Sequence, residues 1–416
     1  MRFGINTLDD LTVTEKTVLL RVDINQPVDR ATRTLTDITR IKACLPTIKE
    51  LVEKRAKVVL LAHQGSDIEY KNFYTTEPHS KVLADLLGFP VRYIDDVCGP
   101  AAREAIKALA PGQVLLLDNV RFMAEEQTLF ELKLELTPEE QAETLLVRKL
   151  APLADLYVGD AFAAAHRSQP SLCGFQQILP SAMGRLFEEE YCVISNLMEK
   201  PARPAVFVLG GAKIADAFLM MDAILASNSA DQILTGGLVA NIMLWGRGCE
   251  IGEASKSFIR GQGYEGFVET ARKLLNKYAD KICLPGDLSS APEARRRDYP
   301  ISSLPDDEML VDIGPKTAEN YFQSIMAAKT VFVNGPMGVF EKPESEQGTR
   351  IIWDALKQTP AYTIIGGGDS IAATNKYGLT EDIDYICTGG GALIRFLTGE
   401  ELPVVKALRH GSKISQ

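Results

Sequence analysis

The residues best suited to chemistry in this chain of 416 fall into two sets, one in each half. In the second half, short apolar runs end in glycine: Gly210 and Gly211 before Lys213, Gly236 and Gly237, Gly335 and Gly338, Gly366 to Gly368 before Asp369 and Ser370, and Gly389 to Gly391. Bare backbone N–H groups at helix starts cradle phosphate, so these turns point to an anion seat. Asp369 suits a magnesium ion, although a single Asp there reads equally well as an ordinary helix cap. The second triplet, TGGGA, weakens that plainer reading, because two such triplets exceed what turns require. Lys213 could neutralise a phosphoryl group in transfer. An isolated lysine is ordinarily a solvated surface residue, and the neighbouring glycines argue otherwise. VNGPMGVFE adds one amide, Asn334, and one acid, Glu341, suited to nucleotide hydroxyls, in what is otherwise a common Gly and Pro loop. Neither the Walker pattern GxxxxGK[ST] nor GxGxxG is present.

The first half ends its runs in charge and imidazole: Arg21, Asp23 and Asn25; His63; Asp118, Asn119 and Arg121; then Asp160, His166 and Arg167, with Arg40 flanking the first. Each arginine alone is most often a surface ion pair. Their shared address at run ends instead suggests guanidinium forks converging on a phosphorylated carboxylic acid. A histidine alone is most often a satisfied structural group. There is no Cys and His metal spacing and no GxSxG elbow for a serine nucleophile.

Those addresses matter only if the runs are strands. TVLLRVDIN, KVVLLAHQG, QVLLLDNVRF, ADLYVGDAF, AVFVLGG, DQILTGG, KICLPGD, TVFVNGP, AYTIIGGG and YICTGGG lack polar alternation, as strands buried on both faces do. Helical stretches such as RIKACLPTIKELVEK and EQAETLLVRKLAPLA separate them, which predicts α/β units with mainly parallel sheets. In such sheets ligands bind beyond the carboxyl ends of the strands, where both residue sets lie. The length calls for two domains. PSAMGRLFEEEYCVISNLMEKPARP reads as an amphipathic linker helix closed by prolines.

Composition narrows the class. A hydrophobic fraction of 46% with 24% charged residues is that of a globular protein. A net charge of −10 argues against a nucleic-acid surface. No apolar run reaches the length of a membrane span and MRFGINTLDD lacks signal-peptide character, so the expectation is a cytoplasmic protein with no membrane partner. The seven cysteines are odd in number and scattered, as reduced thiols are.

Taken together, LLRVDINQPV, DITRI, LLAHQG, LLLDNVRF, GDAFAAAHRSQPS, VLGGAKI, ILTGGLVAN, DIGPKT, VFVNGPMGVFE, IIGGGDS and TGGGA resemble phosphoglycerate kinase, in the family's order and along nearly the whole chain. AAHRSQPS and TGGLVAN are most similar to its archaeal branch. The resemblance implies two Rossmann-like α/β lobes with a cleft between them. An acid-binding domain over 1–180, a linker over 181–200, a nucleotide domain over 201–390 and a returning tail over 391–416 are expected. It implies that Asp23, Asn25, Arg40, His63, Gln64, Gly65, Ser66, Arg121 and Arg167 hold 3-phosphoglycerate. It further implies that Lys213, Gly236, Asn334, Glu341, Gly366, Gly367, Gly368, Asp369 and Ser370 hold ATP or ADP with Mg²⁺, Asp369 facing the metal. Arg40, Lys213, Gly367 and Gly390 are then the catalytic set. Two positions depart: Ser66 stands where the family usually has arginine, and Ala217 where many members have a second lysine. Ser66 leaves room for another small acid as acceptor. A catalytically silent nucleotide-binding homologue is the other alternative, against which Arg40, Lys213 and Asp369 together argue.

Overall fold

The computed structural model describes residues 1–29, 31–65, 74–127 and 135–414. Its contacts divide into two units, Met1–Val193 with Glu401–Gln416, and Ile194–Glu400.

The first unit is built on six parallel strands: β1 (Thr17–Arg21), β2 (Lys57–Leu61), β3 (Val91–Ile94), β4 (Val114–Leu117), β5 (Leu156–Gly159) and β6 (Ser181–Met183). Their spatial order is β3-β4-β2-β1-β5-β6. The four inner strands are apolar without alternation because both faces are covered; Val18, Leu19 and Leu20 of β1 are all 0% exposed. Helices α1 (Thr39–Glu53), α2 (Glu77–Leu87) and α3 (Pro100–Lys107) alternate with β1 to β4. On α1, Ile41, Cys44, Ile48 and Leu51 are buried, the i, i+3, i+7 spacing of one helix face. Truncating one such side chain to alanine costs about 2–5 kcal/mol. The C-terminal helix Pro403–Gly411 packs in this unit, where the Ser412 hydroxyl accepts from the Asn6 N–H at 2.8 Å.

The second unit carries β7 (Ala205–Leu209), β8 (Gln232–Thr235), β9 (Ile282–Cys283), β10 (Asp287–Ser290), β11 (Arg297–Pro300), β12 (Leu310–Ile313), β13 (Thr330–Asn334), β14 (Tyr362–Gly366) and β15 (Tyr385–Ile386). Six of them form a parallel sheet in the order β15-β14-β13-β7-β8-β9, and β11-β10-β12 form a small antiparallel sheet.

All ten apolar runs are strands. The stretch EQAETLLVRKLAPLA differs from the single helix expected. Thr137 and Glu140 form a capping box that starts Pro138–Ala142, and a second helix, Leu145–Leu150, follows. Within the segment read as the linker, residues 181 to 183 pair with β5 as β6, and the helix occupies Arg185–Glu199.

Candidate active site

Strand order gathers the first set. The C-terminal ends of β4, β2, β1 and β5 are neighbours in the sheet, so Asn119 and Arg121, His63 and Gln64, Asp23 and Asn25, and Asp160 and Arg167 follow adjacent strands. Arg40 lies in the first turn of α1, where a cation opposes the helix dipole. It is held there by Asp23, Nη1 to Oδ2 at 2.8 Å, with Asp23 nearly buried and Arg40 partly open. Asn25 accepts from the Gly65 N–H at 2.9 Å, and Gly65, at φ +93, gives its carbonyl to Arg121. Only a residue without a Cβ adopts that turn freely. Ser66 lies outside the described residues.

Gln64 is a scaffold residue. It is buried, bridges both backbone groups of Gln26, and meets His79 Nε2 at 2.9 Å. His63 is buried beside four guanidiniums, and burial first, then Arg21, Arg121, Arg167 and Arg40, hold it well below the usual histidine range. It is therefore neutral at pH 7. Arg121 and Arg167 complete the cationic rim, with Arg121 buried and Arg167 half-buried.

The second set is gathered in the same way after β7, β8, β13, β14 and β15. One cavity of about 200 Å³ is lined by Lys213, Asn334, Gly367, Gly368, Asp369 and Gly390, so both glycine triplets and the lysine share one space. Lys213 Nζ and Asp369 Oδ2 are 3.4 Å apart and both half exposed, free to exchange this contact for a ligand. The helices Gly368–Tyr377 and Gly390–Leu397 begin at this space. A Cβ on Gly368 or Gly390 would meet nothing within 4 Å, whereas one on Gly367 would lie 2.9 Å from Asn334 Nδ2. The first two N-termini thus leave a phosphate-sized approach open, and Gly367, at φ +87, shapes it.

A second cavity, of about 250 Å³, meets the first at Asp369. Its walls are Leu238, Phe258, Leu310, Val311 and Phe340, with Glu341 on its lining. An apolar slot with one carboxylate, joined to an anion seat, matches a nucleoside joined to its phosphates. Gly366 serves the frame, and Ser370 both lines the first cavity and braces it. A Cβ on Gly366 would strike Leu393 at 2.3 Å, and the buried Ser370 hydroxyl accepts from the Gly335 N–H at 2.6 Å. Gly236 caps the helix Gly237–Gly246 and packs against Met337, whose Sδ would be 2.4 Å from an added Cβ.

Among the described residues no three His, Cys, Asp or Glu side chains form a metal cage. Accessible carboxylates beside a phosphate seat, here Asp369 with Asp216 on the same lining, are the donor set of magnesium carried on a nucleotide, which keeps waters and phosphate oxygens as its other ligands. Asp369 fits that group.

A family model for phosphoglycerate kinase matches residues 8–400. The chain belongs to the phosphoglycerate kinase family. The phosphoglycerate kinase of Methanothermobacter thermautotrophicus is 45% identical over 98% of this chain and 97% of its own length. That of Methanothermus fervidus is 44% identical over 99% of each. The crystal structure of phosphoglycerate kinase from Pyrococcus horikoshii superposes with a TM-score of 0.86 at 40% identity, covering 98% of this chain and 99% of that one. A bacterial family member, from Coxiella burnetii, gives 0.83 at 30%.

Sequence reasoning placed Arg21 and Asn119 at run ends without giving either a role, and passed over Ser171, Glu126 and Phe258. Arg21, Ser171 and Glu126 form a buried network behind His63, and its one signal was a charge inside the apolar run VLLRVDI. Of the slot walls, Leu238 and Phe340 sit in the motifs ILTGGLVAN and VFVNGPMGVFE, whereas Phe258 carries no motif. Asn119 is a hub, accepting from the N–H groups of Gln64 and Arg121 and donating to the carbonyls of Gln64 and Tyr74.

Proposed function

We propose that this kinase transfers the γ-phosphoryl group of ATP to the carboxylate of 3-phosphoglycerate, reversibly, giving 1,3-bisphosphoglycerate and ADP. The observation that carries the proposal is the shared space of Lys213, Asp369 and the two glycine triplets in one unit, with a ring of arginines in the other. Residues 1–180 bind the acid through Asp23, Asn25, Arg40, His63, Arg121 and Arg167. Residues 201–390 bind the nucleotide, its base in the apolar slot, its ribose at Glu341 and its phosphates over Gly367, Gly368 and Gly390. Asp369 would hold magnesium, which when bound would supply charge neutralisation on the phosphates.

In the transfer, a carboxylate oxygen of the acid forms the new P–O bond as the bond to ADP breaks. The acceptor is already ionised, so no base is required and no proton moves. Lys213 and Arg40 neutralise charge on the equatorial oxygens, the role electrostatic groups play in phosphoryl transfer. His63, neutral, donates a hydrogen bond to the acid and binds no proton. The acyl phosphate product hydrolyses in water, so the transfer must take place away from bulk solvent.

We place this kinase in the cytoplasm; in support, no helix among the described residues is long and apolar enough to cross a membrane. The test is ATP-dependent acyl phosphate formation, trapped with hydroxylamine, from 3-phosphoglycerate and a panel of other small acids. Acyl phosphate from 3-phosphoglycerate at the highest kcat/KM is expected; preference for another acid would overturn the acceptor, and none at all the kinase.

A further inference from the structure

Behind the acid site lies a buried chain of groups that no transfer step uses. Arg21 closes β1, is 1% exposed, and spends its guanidinium inward: Nε donates to Ser171 Oγ at 3.0 Å, Nη1 to the Val22 carbonyl at 2.6 Å, and Nη2 faces His63 Nδ1 at 3.1 Å. Ser171 Oγ in turn donates to Glu126 Oε2 at 2.8 Å, and Glu126 also takes the Ser171 N–H. A charged pair of this kind is expensive to bury, and removing one partner would leave the other uncompensated.

We propose that Arg21 is a positioning residue for the acid site, fixing His63 as the neutral tautomer with its proton on Nε2 and so making it a one-directional donor to the bound acid. A guanidinium can only donate and does not lose its proton, so His63 Nδ1 in this contact can only accept. The remaining ring proton must then sit on Nε2. Ser171 is fixed in the same sense while Glu126 is ionised: its oxygen accepts from Arg21 and its hydrogen goes to the carboxylate. The charged groups around His63 all oppose its protonation. They are Arg21 at the end of β1, Arg40 at the start of α1, Arg121 after β4 and Arg167 after β5. Asp23 is engaged by Arg40, and Glu126 is separated from the imidazole by Ser171 and Arg21. Burial pushes the Glu126 carboxyl up to about 7, with Arg21 pulling the other way, so the far end of the chain titrates near neutrality while the imidazole does not.

This inference rests on His63 belonging to the acid site, yet its first test needs no substrate. Nitrogen-15 NMR of the ligand-free protein, with the His63 signals assigned by their loss in His63→Gln, should show the Nε2–H tautomer and no titration at the ordinary histidine value of about 6.5. An Nδ1–H tautomer, or titration of His63 between about pH 6 and 7, would overturn the proposal. Arg21→Met should then give a mixture of tautomers and a KM for 3-phosphoglycerate raised about tenfold, kcat changing less. An unchanged tautomer in a folded Arg21→Met protein would also overturn it. Should that variant not fold, Ser171→Ala, which removes the Nε anchor together with the hydroxyl donated to Glu126 and leaves Nη1 and Nη2 in place, takes its place with the same signature at smaller amplitude. Absence of turnover with 3-phosphoglycerate would count against the acceptor assignment and leave the tautomer result standing.

Discussion

On the proposed assignment the two units hold an anion with different materials. The first offers side chains: Arg21, Arg40, Arg121 and Arg167 lie around His63, Asp23 pairs with Arg40, and Glu126 reaches Arg21 through Ser171. The second uses backbone, since Gly368 and Gly390 open their helices with nothing where a Cβ would stand, and Lys213 is the added cation. Charged forks discriminate among acids by number and direction of hydrogen bonds, whereas helix N-termini accept any phosphate that fits. The acceptor site is therefore the more selective of the two, and the donor site the more dependent on shape.

The sharpest test of this contrast is Lys213→Ala. As a charge acting on the moving phosphoryl group, its loss should lower kcat by about a hundredfold or more, with a smaller effect on either KM. Steady-state kinetics at saturating substrates decides it; an unchanged kcat would take Lys213 out of the transfer.

Backbone sites can be damaged without touching the fold. Gly390→Ala adds a methyl into open space, so thermal unfolding should stay within about 2 °C while KM for ATP rises by some tenfold or more. Gly335→Ala is its counterpart. There the backbone sits at φ +94 and the new Cβ would lie 2.2 Å from the Gly210 carbonyl, so the protein should lose stability before any binding effect can be read. Equal behaviour of the two variants in calorimetry and kinetics would break the comparison.

On the side-chain half, Ser66→Arg adds a fork where one hydroxyl stands. It should lower KM for 3-phosphoglycerate by about tenfold, roughly 1.4 kcal/mol, and leave kcat nearly unchanged, because the distal phosphate does not react. A KM that falls for a different acid instead would move the acceptor assignment.

The smallest effect on turnover should come from buried acid in the first unit. Burial raises the Asp160 carboxyl from 3.8 to about 7. Between those values the folded protein keeps a proton that the unfolded chain has released, so stability is greatest below the lower value and falls as pH rises through the higher one. Asp160→Asn preserves the acceptor for the Phe187 N–H and removes the titration. Denaturant midpoints should decline less steeply between about pH 4 and 7 in the variant, by up to about 1.4 kcal/mol per pH unit. Parallel midpoint curves would show that Asp160 does not titrate there.

Much of this arrangement was legible in the chain. TVLLR, KVVLL and TVFVN announce doubly covered strands by their lack of alternation, and the residues just after them carry the site. β10 to β12 were not legible, because DLSS and RDYP have no apolar run and are held by antiparallel pairing to one another and to Leu310–Ile313. Residues 181 to 183 looked like the start of a helix because three residues carry too little pattern to signal a strand.

By itself the sequence determined which residue types stand at each strand end, and with them the division into a cationic set and a glycine set, since both follow from local pattern. Which strand ends are neighbours was decided only by tertiary structure. The order β3-β4-β2-β1-β5-β6 comes from pairing between segments as far apart as Arg21 and Gly159, and no local propensity encodes such a choice. The same holds for Arg21. Its type was visible, but only the packed sheet, by removing water from both of its faces, turned a charge in an apolar run into the group that aims His63.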